Sequence, residues 1–100
     1  MVKQLKIGPF AFSVKKEHLD GLVGECRLEL NEIAIRPNLH PSVELETLIH
    51  ETLHAIFHLN GLAQQWGEQV EEQVILRSSP LIFAFMRDNP KFLDALKESQ

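Results

Sequence analysis

The segment from Ser42 to Gly61 constrains the fold more than any other part of the sequence. Apolar residues recur in it at intervals of three and four, which is the spacing of one face of an α-helix. They are Leu45, Leu48, Ile49, Leu53 and Ile56. Pro41 precedes the segment, Ser42 is a suitable N-cap, and Asn60-Gly61 is a typical helix stop. The pattern therefore predicts an amphipathic helix between residues 42 and 60, capped by Ser42.

Strands are predicted only in the first third of the chain. Residues 5–14 are rich in branched and aromatic types and are interrupted by Gly8-Pro9, which predicts one edge strand with a bulge or bend. Residues 24–30 and 33–35 also have extended patterns and are separated by Asn31-Glu32. This pair of segments predicts a β-hairpin directly before the amphipathic helix.

Further helices are predicted in the last third of the chain. After a turn at 61–67, a helix is expected from about Glu68 to Pro80, where the proline kinks or ends it. Residues 81–87 continue as an apolar helix, and Asn89-Pro90 opens a final helix over 91–97. We expect the apolar run at 81–87 to be core, with a weak self-association face as the alternative.

Length and charge limit the classes of protein and of partner. The 100 residues suit one domain spanning 1–100. Ten scattered Lys and Arg against fourteen Asp and Glu give a net charge of -4, so no nucleic-acid partner is expected. No apolar stretch approaches the roughly 20 residues that span a bilayer, and Lys15-Lys16 stand where a signal peptide would need a cleavage site. With Cys26 as the single cysteine, these features predict a cytoplasmic protein without a membrane partner.

The predicted helix at 42–60 contains the motif HExxH, as His50-Glu51-Thr52-Leu53-His54. Two histidines four apart lie on one helical face, about 6 Å apart along the axis, so both imidazoles can converge on one tetrahedral zinc ion. Glu51 projects from a neighbouring line of the helix, where its carboxylate can reach a zinc-bound water without binding the metal. Zinc lowers the pKa of that water and Glu51 accepts its proton, which makes Glu51 the candidate catalytic base.

A catalytic zinc site also needs a third protein ligand. The longer pattern HExxHxxGxxH does not apply, because Phe57 and Asn60 occupy the positions of its glycine and last histidine. His58 is about 12 Å along the helix from His50, too far for both to bind one ion. The third ligand is therefore expected from the next helix.

Three glutamates of that helix, Glu68, Glu71 and Glu72, are candidates. Glu71 is the first choice, because it lies three and four residues before Val74 and Ile75, the apolar pair expected to face the HExxH helix. Glu72 is the alternative. The remaining glutamates are expected to lie on a solvated face.

The run TLIHETLHAIF, then a glycine, VEEQVI, an apolar helix and DNPKFLDAL, resembles small phage- and prophage-associated metallopeptidases related to the ImmA/IrrE-like and minigluzincin peptidases. The resemblance covers about residues 6–97, and its specific part is residues 50–54. It implies a minimal zincin-like α+β fold, in which a small antiparallel sheet packs on the HExxH helix and further helices follow. It also implies that His50 and His54 bind zinc, that Glu51 is the base, and that Glu71 or Glu72 is the third ligand.

The chain departs from this family in one respect, because it contains no tyrosine. Zincins often use a tyrosine or a histidine to stabilise the oxyanion. His18, His40, His58 or an arginine would have to take that role here.

The leading expectation is a gluzincin-like zinc metallopeptidase that hydrolyses peptide bonds of a peptide or protein substrate, in the host cytoplasm if a phage encodes it. The alternative is a zinc-stabilised, non-catalytic binding module that engages a regulatory or phage protein. An ordinary helical adaptor without metal is the third hypothesis. Glu51 favours the enzyme, since a structural zinc needs no base beside an open coordination position. Because the core of so short a chain is small, chelation is expected to lower its thermal stability.

Overall fold

The protein has an α+β fold, in which a four-stranded sheet packs against the first of four helices. The computed structural model describes residues 2–99. The strands are β1 (Gln4–Ile7), β2 (Phe10–Lys16), β3 (Gly24–Arg27) and β4 (Glu32–Ile35), with a short 3-10 helix at Leu28–Leu30. The helices are α1 (Pro41–Leu59), α2 (Leu62–Trp66), α3 (Glu68–Asp88) and α4 (Pro90–Glu98). None of the helices in the described part of the chain is both long enough and apolar enough to cross a membrane.

The sheet is mixed, so the prediction of an antiparallel sheet is wrong. The strand order is β1-β2-β4-β3; β2 and β4 pair in parallel, whereas the other two pairs are antiparallel. The predicted hairpin of β3 and β4 is confirmed, but its second strand lies beside β2 and its first strand lies at the edge. The chain reverses direction once before β3 and once after it, so β4 runs in the same direction as β2. Every residue of β4 is buried, as expected for a central strand.

Residues 5–14 form parts of two strands, so the prediction of one bent edge strand is also wrong. β1 and β2 pair as an antiparallel hairpin in which Ile7 lies opposite Phe10. Gly8 has a φ of 56°, a left-handed conformation that glycine adopts readily and that the tight reversal requires. Pro9 completes the turn, and the chain returns on itself rather than bending.

Helix α1 confirms the predicted amphipathic helix, but its N-cap lies two residues earlier than predicted. His40, not Ser42, is the N-cap, because its Nδ1 accepts a hydrogen bond from the backbone N–H of Ser42, and Pro41 occupies the first helical position. Leu48, Glu51 and Ala55 are the buried residues of α1, whereas Leu45 of the predicted stripe is exposed. The buried residues of α1 therefore do not coincide with the predicted apolar face, because α1 packs against both the sheet and α3.

Helix α3 runs without interruption through Pro80. The predicted core role of residues 81–87 is wrong for several of them, since Leu81 is 72% exposed and Phe85 and Met86 are exposed as well. Helices α1 and α3 are antiparallel, and both line the same cleft. In the C-terminal part of α3, the ring of Phe85 packs on Phe92 of α4, with ring centroids 5.1 Å apart.

The segment at 61–67, predicted as a turn, contains the short helix α2. Its Trp66 packs edge-on against Phe57 of α1, with ring centroids 5.1 Å apart. This contact holds the connection between α1 and α3 against the body of the protein, so that the N-terminal half of α3 faces the HExxH motif.

Candidate metal centre

Helices α1 and α3 and the edge strand β3 enclose a cleft of about 670 Å³. Helix α1 contributes His50, Glu51 and His54 to its wall, and α3 contributes Glu72. Strand β3 forms the opposite wall with Gly24, Glu25 and Cys26. The predicted HExxH side chains therefore lie together in one cleft.

His50, His54 and Glu72 form a group whose ligand atoms all lie within 4.8 Å of one another. Glu72 Oε1 is 3.4 Å from His50 Nε2, and Glu72 Oε2 is 3.2 Å from His54 Nε2. The structure thus groups Glu72, the alternative from the sequence, with the two histidines. Both imidazoles are directed at the same carboxylate, one from each of two successive turns of α1.

Glu71, the first choice from the sequence, lies behind His54 rather than between the two histidines. Its side chain is 5% exposed, and its Oε2 accepts a hydrogen bond of 2.7 Å from His54 Nδ1. The expectation that Glu71 faces the HExxH helix is thus confirmed, but that orientation directs it at the far side of the imidazole. A carboxylate on the second nitrogen of a metal-binding histidine fixes its tautomer and orientation.

The contacts of His54 test whether a metal fits here. In the neutral ring of His54, Nδ1–H donates a hydrogen bond to Glu71, so the lone pair of Nε2 is directed at the Glu72 carboxylate, 3.2 Å away. Two acceptor atoms at this distance repel each other unless a proton or a cation lies between them. Two imidazoles and one carboxylate are the protein ligands of several catalytic zinc sites. The donor set of His50, His54 and Glu72 therefore fits zinc.

The electrostatics around His50 agree with a ligand role. Burial lowers the pKa of His50 below its usual value, against the opposing effect of the neighbouring Glu72 carboxylate. A metal binds the neutral imidazole, so a depressed pKa leaves His50 in the required form at neutral pH.

Glu51 lies on the cleft wall beside this group but makes no ion pair or side-chain hydrogen bond within residues 2–99. It is only 8% exposed, and burial raises the pKa of its carboxyl to about 7. A carboxylate poised near neutrality, with no protein partner, is suited to accept a proton from a molecule bound in the cleft.

Gly24 is a site residue that the sequence analysis did not identify. A Cβ atom built on Gly24 would lie 2.6 Å from Thr47 Cγ2 and 3.1 Å from Glu51 Cγ. The backbone of β3 therefore packs directly on the side chain of Glu51, and any larger residue would displace it. A glycine at the start of a predicted strand is the sequence signal from which this close approach could have been inferred.

Of the side chains predicted to replace the missing tyrosine, only His58 lines the cleft. Its Nε2 lies 3.3 Å from Glu71 Oε2, so one carboxylate oxygen contacts both His54 and His58. His40 caps the far end of α1, and His18 is exposed beside Asp20. No arginine lies in the cleft wall.

Cys26 also lines the cleft, and it packs against the hydrophobic core. Burial raises the pKa of its thiol to about 11, with Glu51 and Glu71 adding repulsion to the thiolate. The thiol is therefore protonated at neutral pH, and Cys26 packs as a small hydrophobic residue.

Comparisons with protein-family models, with curated proteins and with solved structures found no significant match to this chain.

Proposed function

We propose that the protein is a zinc-dependent peptidase of the gluzincin type, with His50, His54 and Glu72 as zinc ligands and Glu51 as general base. The observation that carries the proposal is the approach of both histidine Nε2 atoms to one carboxylate, beside a buried glutamate that has no partner of its own. A purely structural site would need the ligands but not that glutamate.

Each side chain has a distinct role in the proposed site. His50 and His54 hold the metal from two successive turns of a rigid helix, and Glu72 closes the set from α3. Glu71 holds the His54 ring in the required tautomer. Gly24 allows β3 to press on Glu51 and so keeps the carboxylate at the edge of the metal site.

The chemistry proposed is hydrolysis of a peptide bond. When bound, zinc lowers the pKa of a water molecule and polarises the substrate carbonyl. The water oxygen bonds to the carbonyl carbon while Glu51 takes up its proton. The same carboxyl then returns this proton to the amide nitrogen as the C–N bond breaks, which leaves a carboxylic acid and an amine. His58, as a nitrogen donor in the cleft wall, is the candidate for stabilising the oxyanion in place of a tyrosine.

The proposal places the activity in the cytoplasm, of the host cell if the chain is phage-encoded. The single cysteine supports it.

The test is the variant Glu51→Gln, which keeps the shape of the side chain and removes its basicity. It is expected to retain about one zinc per chain, because Glu51 lies outside the ligand group, and to lose on the order of a hundredfold or more of the activity. Zinc is measured by elemental analysis, and cleavage is measured against a broad peptide library. Glu29→Gln, at an exposed position outside the cleft, is the control and is expected to behave as the wild type.

Three outcomes would contradict the proposal. Zinc content unchanged in a His50→Ala, His54→Ala double variant would reject the metal site. Loss of zinc in Glu51→Gln would make Glu51 a ligand. If wild type and Glu51→Gln are equally inactive across the library yet bind the same partner, the zinc-stabilised binding module replaces the enzyme.

A further inference from the structure

We infer that the cleft selects peptide segments that carry lysine or arginine beside the bond to be cleaved, with Glu46 and Glu68 as the residues that determine this specificity. The inference rests on the proposed function in that it treats the same cleft as the substrate site.

The acidic side chains of the protein are concentrated in the cleft. Five of the fourteen acidic side chains line it, and none of the ten lysines and arginines does. The remaining molecule therefore has ten basic against nine acidic side chains, so its net charge is close to zero. A cleft lined by one sign of charge raises the local concentration of ligands with the opposite sign.

Most of these five glutamates already have a role or a partner. Glu51 and Glu72 belong to the metal centre, and Glu25 accepts a hydrogen bond of 2.9 Å from Arg27 Nε. Arg27 lies outside the cleft wall and also pairs with Glu17 and Glu32. Glu46 and Glu68 have no ion-pair partner within residues 2–99, and they remain free to meet a cation in the cleft.

Glu46 and Glu68 lie on opposite sides of the metal centre. Glu46 is one helical turn before His50 on α1, and Glu68 is one turn before Glu72 on α3, each about 6 Å away along its helix axis. Because α1 and α3 are antiparallel, the two carboxylates lie toward opposite ends of the cleft. A peptide passing through the cleft therefore meets one unpaired carboxylate on each side of its central bond.

The burial of Glu51 shows that the cleft is built to receive a ligand. This side chain is more than nine-tenths buried, has no partner within residues 2–99, and faces the cleft. A carboxylate with so little exposed surface and no protein partner is only partly hydrated, and a proton donor or cation bound in the cleft would offset that cost. The acidic side chains at 46 and 68 thus flank a carboxylate that faces the cleft and has no protein partner.

The experiment compares matched peptides that differ at the positions flanking the cleaved bond, with lysine, glutamine or glutamate. The lysine peptides are expected to have a kcat/KM at least about tenfold above the glutamate peptides at low ionic strength, and the ratio is expected to fall as salt is added. In the double variant Glu46→Gln, Glu68→Gln the ratio is expected to fall about three- to tenfold, because each exposed ion pair contributes up to about fivefold. Glu98→Gln, which removes the same charge from α4 outside the cleft, is expected to leave the ratio unchanged.

The same peptides, fluorescently labelled, separate this inference from the proposed function. If zinc-loaded protein cleaves none of them but binds lysine peptides more tightly than glutamate peptides, by anisotropy, the inference holds and the peptidase proposal fails. If it cleaves lysine and glutamate peptides equally well, or if the double variant keeps the full preference, the inference is wrong and the peptidase proposal stands. Failure both to bind and to cleave any peptide overturns both.

Discussion

The adjacent glutamates of α3, Glu71 and Glu72, provide a sharp test of the metal site, because the structure gives them different roles one residue apart. Glu72 faces the Nε2 atoms of His50 and His54, whereas Glu71 contacts the Nδ1 atom of His54. We expect Glu72→Ala to weaken zinc binding more than Glu71→Ala does. If Glu71 were the ligand, the order would be reversed.

The magnitudes follow from the two roles. A structural zinc ion binds with a free energy of about 10–16 kcal/mol, which is roughly 3 kcal/mol for each of its four coordination positions. Glu72→Ala is therefore expected to raise the zinc Kd on the order of 10²- to 10³-fold. Loss of a carboxylate that orients a ligand histidine costs roughly 10- to 100-fold, which is the range expected for Glu71→Ala. In Glu71→Gln the amide oxygen still accepts the hydrogen bond from His54, so most of the affinity is expected to return.

The assay is competition with a chromophoric zinc chelator at neutral pH, with circular dichroism as a check that each variant is folded. Gln73→Ala, at an exposed position of the same helix, is the matched control and is expected to bind zinc as the wild type does. A larger loss in Glu71→Ala than in Glu72→Ala would refute the assignment of Glu72. Equal affinity in all four variants would show that α3 supplies no ligand.

Two further predictions concern stability and the position of the base. Zinc at a free concentration of about 1,000 times its Kd stabilises the folded protein by about 4 kcal/mol, so its removal by a chelator is expected to lower the melting temperature by roughly 15 °C or more. The melting temperature of a His50→Ala, His54→Ala variant should not respond to chelator. An unresponsive wild type would contradict the prediction. Gly24→Ala is expected to destabilise the protein by about 1–3 kcal/mol through the clash with Thr47 and to displace Glu51, so activity falls while the zinc Kd is unchanged. Adding Thr47→Ser removes the clashing methyl group and keeps the hydroxyl, so stability measured by urea unfolding should recover; no recovery would refute the steric explanation.

Local patterns in the sequence were sufficient for the elements whose formation depends on near neighbours. Helix α1, its stop at Asn60-Gly61, the β3–β4 hairpin and the short helix after Asn89-Pro90 all follow from periodicity, capping and turn residues. The spacing of His50, Glu51 and His54 also fixes their relative positions, because a helix of known pitch carries all three.

Relations between distant segments were decided only by the tertiary structure. Nothing local to β4 reveals that it pairs in parallel with β2, since the parallel pairing depends on which strand of the hairpin is placed inside. Leu81, Phe85 and Met86 are exposed although they belong to an apolar run, because an apolar pattern alone cannot show whether a partner helix covers it.

The distinction between Glu71 and Glu72 depends on tertiary structure for the same reason. Neighbouring residues on a helix differ by about 100° in direction, so both can reach a facing helix, and the rotation of α3 about its own axis decides which one meets Nε2. That rotation is set by the packing of α3 on α1, where Ile75 is fully buried and Glu71 nearly so. Sequence periodicity identified the face of α3 that is buried. Only the packed helices show that Glu71 meets Nδ1 of His54, whereas Glu72 meets the Nε2 atoms of both histidines.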